Sequence, residues 1–297
     1  MKELYWSKVI LFGEYSMIFD STALVLPLKL FSAKWNADRG RSREFMSFSR
    51  KELSRFCGFL RGEERFSNVI DLDVLEEDLQ KGWYLDSDVP VGYGLGSSGT
   101  VVAAVYDRYA KTPVRDLMRL KDLFSQMESF FHGSSSGIDP LQCYLGRPFR
   151  ITAEGAELLA DGFLKNRLQI CLIDTEMKSD TKPLVEYFKR QREKEEYLRD
   201  FQRDYLPYVK GCMDAVIQGD TDCFFKRFQK LTSAQRVFFS PMRPDPVAEL
   251  FERTYDFHFG VKILGSGGGG YILGFTDDRQ KASTVLRDKK VLWLDVD

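Results

Sequence analysis

The chain has 297 residues, 43% hydrophobic and 29% charged, an ordinary composition for a soluble globular protein, and its length favours two domains of roughly 150 residues each. Its formal net charge of −1 argues against binding nucleic acid or an anionic membrane surface, both of which require a basic footprint. No run approaches the ~18 apolar residues of a membrane span, and the opening MKELYWSKVILFGE holds no secretory core.

In chain order, VILF (9–12) and ALVLPLKLF (23–31) are expected to be strands joined through GEYSMIFDS. Residues 68–79 mix strand and helix signals. VPVGYGLGSS (89–98) is a glycine-rich loop, and TVVAAVYDRYA (100–110) follows as a helix whose Ala103 and Ala104 allow close packing. Thr112-Pro113 reads as the N-cap and first residue of another helix. Leu117, Leu120, Phe124, Met127 and Phe131 give that helix an apolar stripe at 3–4 spacing, and it stops in HGSSSGIDP. Next come a strand at 168–174, a charged amphipathic helix over 184–205 and a helical stretch over 211–238 that PMRPDP terminates. VKIL (261–264) and YILGF (271–275) are strands flanking a second glycine loop, and VLWLDV (291–296) is a final strand. The domain boundary is expected near 150–165. Five cysteines, scattered and without a CxxC pair, read as reduced packing residues of a cytoplasmic protein. The two histidines, His132 and His258, do not suggest a histidine metal site.

Both glycine loops contain G-x-G-x-x-G: Gly94, Gly96 and Gly99 in one, Gly265, Gly267 and Gly270 in the other. A dinucleotide fingerprint requires a strand directly before the glycines, and WYLDSDVPV is a poor buried strand. A Walker A loop requires Gly-Lys-Ser/Thr, and a protein kinase requires HRD and DFG; all are absent. Each loop alone is either a structural turn or a phosphate cradle. The first runs directly into a helix, whose N-terminal N–H groups and dipole favour an anion. Ser97 and Ser98 there could cap the helix or bind phosphate and metal.

Several charged residues have two readings. Glu128 lies beside the apolar stripe, either as a partly exposed flank residue or as a carboxylate aimed inward at a cation. Asp139, before a proline, is a turn former or a catalytic group. Lys8 is a surface residue unless it pairs with phosphate or a carboxylate. Gly133–Gly137 also spells G-x-S-x-G, but a helix precedes it where a nucleophile elbow needs a strand.

Taken in order, KVILFGEYSMIFDSTALVLPL, PVGYGLGSSGTVVAA and KILGSGGGGYILGF resemble the three motifs of the GHMP kinase superfamily, and together they span almost the whole chain. MESFFHGSSSGIDP resembles the Glu…His-Gly-x-x-Ser-Gly-x-Asp pattern of the mevalonate kinase family within it. The resemblance implies an α+β, two-domain GHMP kinase fold. Residues 1–155 would be a ribosomal protein S5 domain 2-like, ATP-binding N-terminal domain with a left-handed β-α-β unit, and 156–297 a ferredoxin-like C-terminal domain.

It also implies ATP-dependent phosphorylation of a primary alcohol, foremost the 5-hydroxyl of mevalonate in isoprenoid precursor synthesis, with ATP and Mg²⁺ as cofactors. A phosphomevalonate kinase, another small-molecule GHMP kinase and an inactive regulatory protein of the same fold are the alternatives. The partner would be a small-molecule alcohol, and a homodimer is compatible with the chain.

By the same resemblance Asp139 and Lys8 are catalytic. Gly92, Gly94, Leu95, Gly96, Ser97, Ser98 and Gly99 hold the triphosphate, and Ser98 and Glu128 bind the metal. Glu14, Ser136, Gly137, Gly265, Gly267, Gly268 and Gly269 lie in supporting or substrate loops. The chain departs from the family pattern at Tyr15, where histidine is usual, at Pro140 in place of asparagine, and at Gly99-Thr100 in place of Ala-Ala.

Overall fold

A computed structural model describes residues 2–16, 22–38, 40–160, 162–164, 168–254 and 258–294. In chain order the elements are β1 (Tyr5–Phe12), β2 (Ala23–Asn36), α1 (Arg43–Arg61), α2 (Glu64–Ser67), α3 (Leu72–Gln80), β3 (Tyr84–Ser87), α4 (Ser97–Tyr109), α5 (Leu117–His132), α6 (Ile138–Leu145), β4 (Phe149–Thr152) and β5 (Gly155–Leu158). They continue with β6 (Gln169–Asp174), α7 (Thr181–Arg192), α8 (Glu195–Asp204), α9 (Leu206–Gln218), α10 (Thr221–Phe238), α11 (Asp245–Arg253), β7 (Phe259–Ile263), β8 (Tyr271–Thr276), α12 (Arg279–Val285) and β9 (Val291–Trp293). The class is α+β. The chain divides into two compact units, each discontinuous in sequence. One comprises Met1–Lys8, Pro27–Pro90 and Leu95–Arg147, and the other Val9–Leu26, Val91–Gly94 and Pro148–Asp297.

In the first unit β3 pairs antiparallel with the end of β2, from Ala33 opposite Ser87 to Asn36 opposite Tyr84. The mixed signals at 68–79 resolve as helix α3, because Asp71 caps it by accepting from Val74 N–H and Leu72, Leu75 and Leu79 form one buried face. α4 is buried nearly all round: Val102, Ala103, Ala104, Val105 and Tyr106 have no exposed surface. Its small residues let α5 and α6 pack against it. The cap of α5 is Asp116, which accepts from Arg119 N–H at 2.8 Å, and not Thr112-Pro113; a carboxylate at that position satisfies the first-turn donors directly. Leu120, Phe124 and Met127 of the expected stripe are buried, together with Glu128.

In the second unit the start of β2 pairs antiparallel with β4, and β4 with β5. A separate antiparallel sheet has the order β7-β8-β6-β9. β7 and β8 are buried along their whole length, which explains their largely apolar sequence, Lys262 of β7 being the charged exception. β7 is an edge strand, and α10 lends it hydrogen bonds: Thr232 donates to Val261 O at 3.2 Å, and Ile263 N–H donates to the Gln235 side chain at 3.0 Å.

The single helix expected over 184–205 is two, α7 and α8, separated at Glu193–Lys194. The stretch 211–238 is likewise divided. Gly219, in the left-handed region at φ 74°, ends α9, and Asp220 caps α10 by accepting from Cys223 N–H. The last strand ends at Trp293, and residues 295–296 of the expected VLWLDV strand lie outside the described residues. All five cysteines are free thiols. Among the described residues no helix is long and apolar enough to cross a membrane.

Candidate active site

The site in the first unit is built where β1, the N-terminus of α4, α5 and α6 meet. Helix α4 begins at Ser97, inside the glycine-rich loop and three residues before the expected start, with Gly96 as its N-cap. Neither serine is the cap. They occupy the first turn, where the backbone N–H groups precede the first intrahelical bond, Thr100 N–H to Gly96 O at 2.9 Å. Gly96 has φ 79°, and a Cβ there would lie 2.9 Å from Lys8 Cγ, so only glycine fits. Lys8 N–H donates to Leu95 O at 3.1 Å, which lays the lysine along the loop.

Lys8 is not a surface residue. Its side chain is 1% exposed, and Nζ lies 2.9 Å from Asp139 Oδ2, whose own side chain is 27% exposed. Asp139 stands in the first turn of α6, after Gly137 as N-cap and before Pro140, so it is a helix-start carboxylate and not merely a turn former. Gly99 sets how closely α4 approaches it. A Cβ at Gly99 would meet Asp139 C at 2.8 Å and Pro140 N at 2.9 Å.

Glu128 is buried at 3% exposure, the inward alternative of the sequence reading. Ser98 Oγ donates to Glu128 Oε1 at 2.7 Å, and Ser135 Oγ donates to Oε2. Burial, followed by the nearby Asp139 charge, pushes the Glu128 carboxyl up to about 7, while the two hydroxyls and Lys8 oppose that rise. A buried carboxylate whose direct partners are neutral hydroxyls gains from a hard cation. Mg²⁺ favours a site of one or two carboxylates completed by substrate phosphates. Ser98 and Glu128 fit that description. Among the described residues no cluster of three His, Cys, Asp or Glu could cage a metal by itself.

Two residues here carry a role that the sequence did not assign them. His132 Nε2 is 3.0 Å from Ser98 Oγ, and Ser135 holds the second oxygen of Glu128. A signal was present: Glu128 and His132 stand four apart and share one face of α5. Ser135, the middle residue of G-x-S-x-G, also accepts from Gly137 N–H at 2.9 Å and sits between two helices, so it is no strand-turn-helix nucleophile. Ser136 accepts through Oγ from Ile138 N–H and through its carbonyl from Lys121, as a loop-shaping residue.

The second unit brings together the remaining expected residues. Gly92 O accepts from Ser179 N–H at 3.1 Å, and a Cβ at Gly265 would lie 3.4 Å from Gly94 Cα. Gly268 N–H donates to Met242 O, and Ser179 Oγ donates to Gly267 O. Gly269 lies against Met177. Glu14 is fully buried and ion-paired with Lys262 of β7. Tyr15, with φ 61°, packs its ring on Phe188 and Phe239 and donates its hydroxyl to Ser266 O at 2.8 Å.

Residues 67–147, which carry Leu95–Gly99, Glu128 and Asp139, match the model of the GHMP kinases N terminal domain. The chain is 25% identical to mevalonate kinase of Thermococcus gammatolerans over 92% of its own length and 88% of the relative's. It is 23% identical to mevalonate kinase of Archaeoglobus fulgidus over 95% of each chain. Its fold superposes on the crystal structure of Methanococcus jannaschii mevalonate kinase with a TM-score of 0.66 at 15% identity, covering 99% of this chain and 97% of the other.

Proposed function

We propose that this GHMP kinase superfamily chain transfers the γ-phosphoryl group of ATP to a primary alcohol, and that the alcohol is the 5-hydroxyl of mevalonate. The observation that carries the reading is the ion pair of buried Lys8 with the partly exposed Asp139 at 2.9 Å, in the same unit as the Ser98–Glu128 pair at 2.7 Å. Phosphoryl transfer asks a protein mainly for positioning and charge neutralisation, and these four side chains supply both.

The first-turn N–H groups of α4 offer an anion the favourable end of the helix dipole, and the triphosphate would lie there, along Leu95–Gly99. Lys8 offsets negative charge between the transferring group and Asp139. The Asp139 carboxylate, about a quarter exposed, orients the acceptor hydroxyl and takes its proton as the new P–O bond forms and the bond from the γ-phosphorus to the bridging oxygen breaks, releasing ADP. Ser98 and Glu128 would hold Mg²⁺, which when bound neutralises charge on the phosphate oxygens. Glu14, Ser136, Gly137 and the loop Gly265–Gly269 act as supports, within domains assigned as 1–155 and 156–297.

The test is ADP release from Mg-ATP with mevalonate, phosphomevalonate, homoserine, galactose or a heptose as acceptor. Turnover with mevalonate is expected. Turnover with a different acceptor and none with mevalonate would overturn the substrate assignment and leave the chemistry. No turnover with any acceptor, together with no Mg-ATP binding, would overturn the kinase reading.

A further inference from the structure

Resting on the phosphotransferase reading, we infer that His132 is a positioning residue that fixes the Ser98 hydroxyl for cation binding. The geometry is a chain of committed hydrogen bonds. Serine has one hydroxyl proton, and Glu128 in the ionised form that a cation requires accepts only. The Ser98 proton is therefore committed to Glu128 Oε1 at 2.7 Å. The contact of 3.0 Å between Ser98 Oγ and His132 Nε2 then makes the imidazole the donor, which fixes the tautomer with Nε2 protonated.

With those two bonds made, the Ser98 oxygen keeps one lone pair, and its direction is set by the other two. Ser135 repeats the arrangement on the other oxygen of Glu128: it donates to Oε2 and accepts from Gly137 N–H. Each carboxylate oxygen thus takes one hydroxyl, and each hydroxyl oxygen takes one N–H. Because Glu128 and His132 are one turn apart on α5, a single helix carries both groups that bond Ser98. Without His132 the Ser98 oxygen loses its N–H partner among the described contacts and is held by the Glu128 bond alone.

The experiment uses the intact chain with Mn²⁺ and a non-hydrolysable ATP analogue, and reads Mn²⁺ affinity by electron paramagnetic resonance and metal-free nucleotide affinity by calorimetry. The variants are His132→Leu, which removes the donor, His132→Asn, which stays polar but ends short of Ser98, and His132→Gln, whose amide nitrogen reaches about as far as Nε2.

Leu and Asn are expected to weaken Mn²⁺ binding about 10- to 100-fold, the range for groups that orient a metal ligand. Gln is expected to stay within about threefold of the parent chain, since it restores the N–H donor. Metal-free nucleotide affinity should be unchanged in all three. Asn keeps the test open if Leu fails to fold. Unchanged Mn²⁺ affinity in Asn, a Gln variant as weak as Asn, or a parallel fall in metal-free nucleotide affinity would each overturn the inference. A parent chain that binds no Mn²⁺–nucleotide would overturn the phosphotransferase reading itself, an outcome visible before any variant is compared.

Discussion

The sharpest stability test in the second unit is Lys262→Met. Lys262 and Glu14 are 0% and 1% exposed, and the ammonium also donates to Ile263 O at 2.7 Å. Methionine keeps the apolar stem and approximate length but removes the Lys262 charge that the buried Glu14 carboxylate pairs with. Breaking a buried pair in this way costs ~3–5 kcal/mol. For a unit of this size each 1 kcal/mol shifts Tm by ~2–4 °C, so a fall of roughly 6–20 °C is expected.

The assay is thermal and urea unfolding of the parent, Lys262→Met, Glu14→Gln and the double variant. Removing both charges should recover most of the loss, because a neutral pair no longer has a charge to desolvate. A single-variant loss below ~1 kcal/mol would refute the argument, as would a double variant that loses as much as both singles together.

Three further outcomes follow from the first unit. Gly99→Ala places a methyl 2.8 Å from Asp139 C, about 0.6 Å short of ordinary contact, so α6 must move. The kcat should fall by about tenfold or more, because a 1 Å misplacement at a reacting group costs ~10²-fold; steady-state kinetics with unchanged kcat would refute the claim that this contact sets Asp139. Asp139→Asn should lower kcat by roughly 10²–10⁴ with nucleotide affinity retained, and near-parental turnover would remove Asp139 from proton handling. Glu128 ionises near pH 7 in the folded ligand-free protein, above its ordinary value of 4.5, so the fold gains stability as pH falls from above 7 towards 4.5. Glu128→Gln, which never carries the charge, should therefore stabilise the ligand-free protein more at pH 8 than at pH 5.5 in urea unfolding; an equal effect at both values would contradict a raised carboxyl.

Much of the site was legible because its signals are local. The glycine run leading into an apolar helix, the 3–4 stripe of α5 and the buried strands around the second glycine loop are each written within about fifteen residues. The errors have equally local causes. Thr112-Pro113 looked like a cap, yet Asp116 lay closer to the stripe and its carboxylate reached Arg119 N–H. Gly219-Asp220 is a stop and a cap side by side, and the apolar spacing on both sides hides the break.

The sequence by itself determined where the candidate site residues lie along the chain and that a glycine loop there enters a helix, since periodicity, glycine and cap residues act over one or two turns. Only the tertiary structure decided their partners. Lys8 and Asp139 are 131 residues apart in sequence yet pair and so bury the lysine, and Glu128 turned inward where Ser98 and Ser135 satisfy it. A lone lysine or glutamate reads as a solvated residue because burying an unpaired charge is costly. That judgement reverses once the chain brings the compensating group to it, and the compensating group is specified by packing, not by neighbours in sequence.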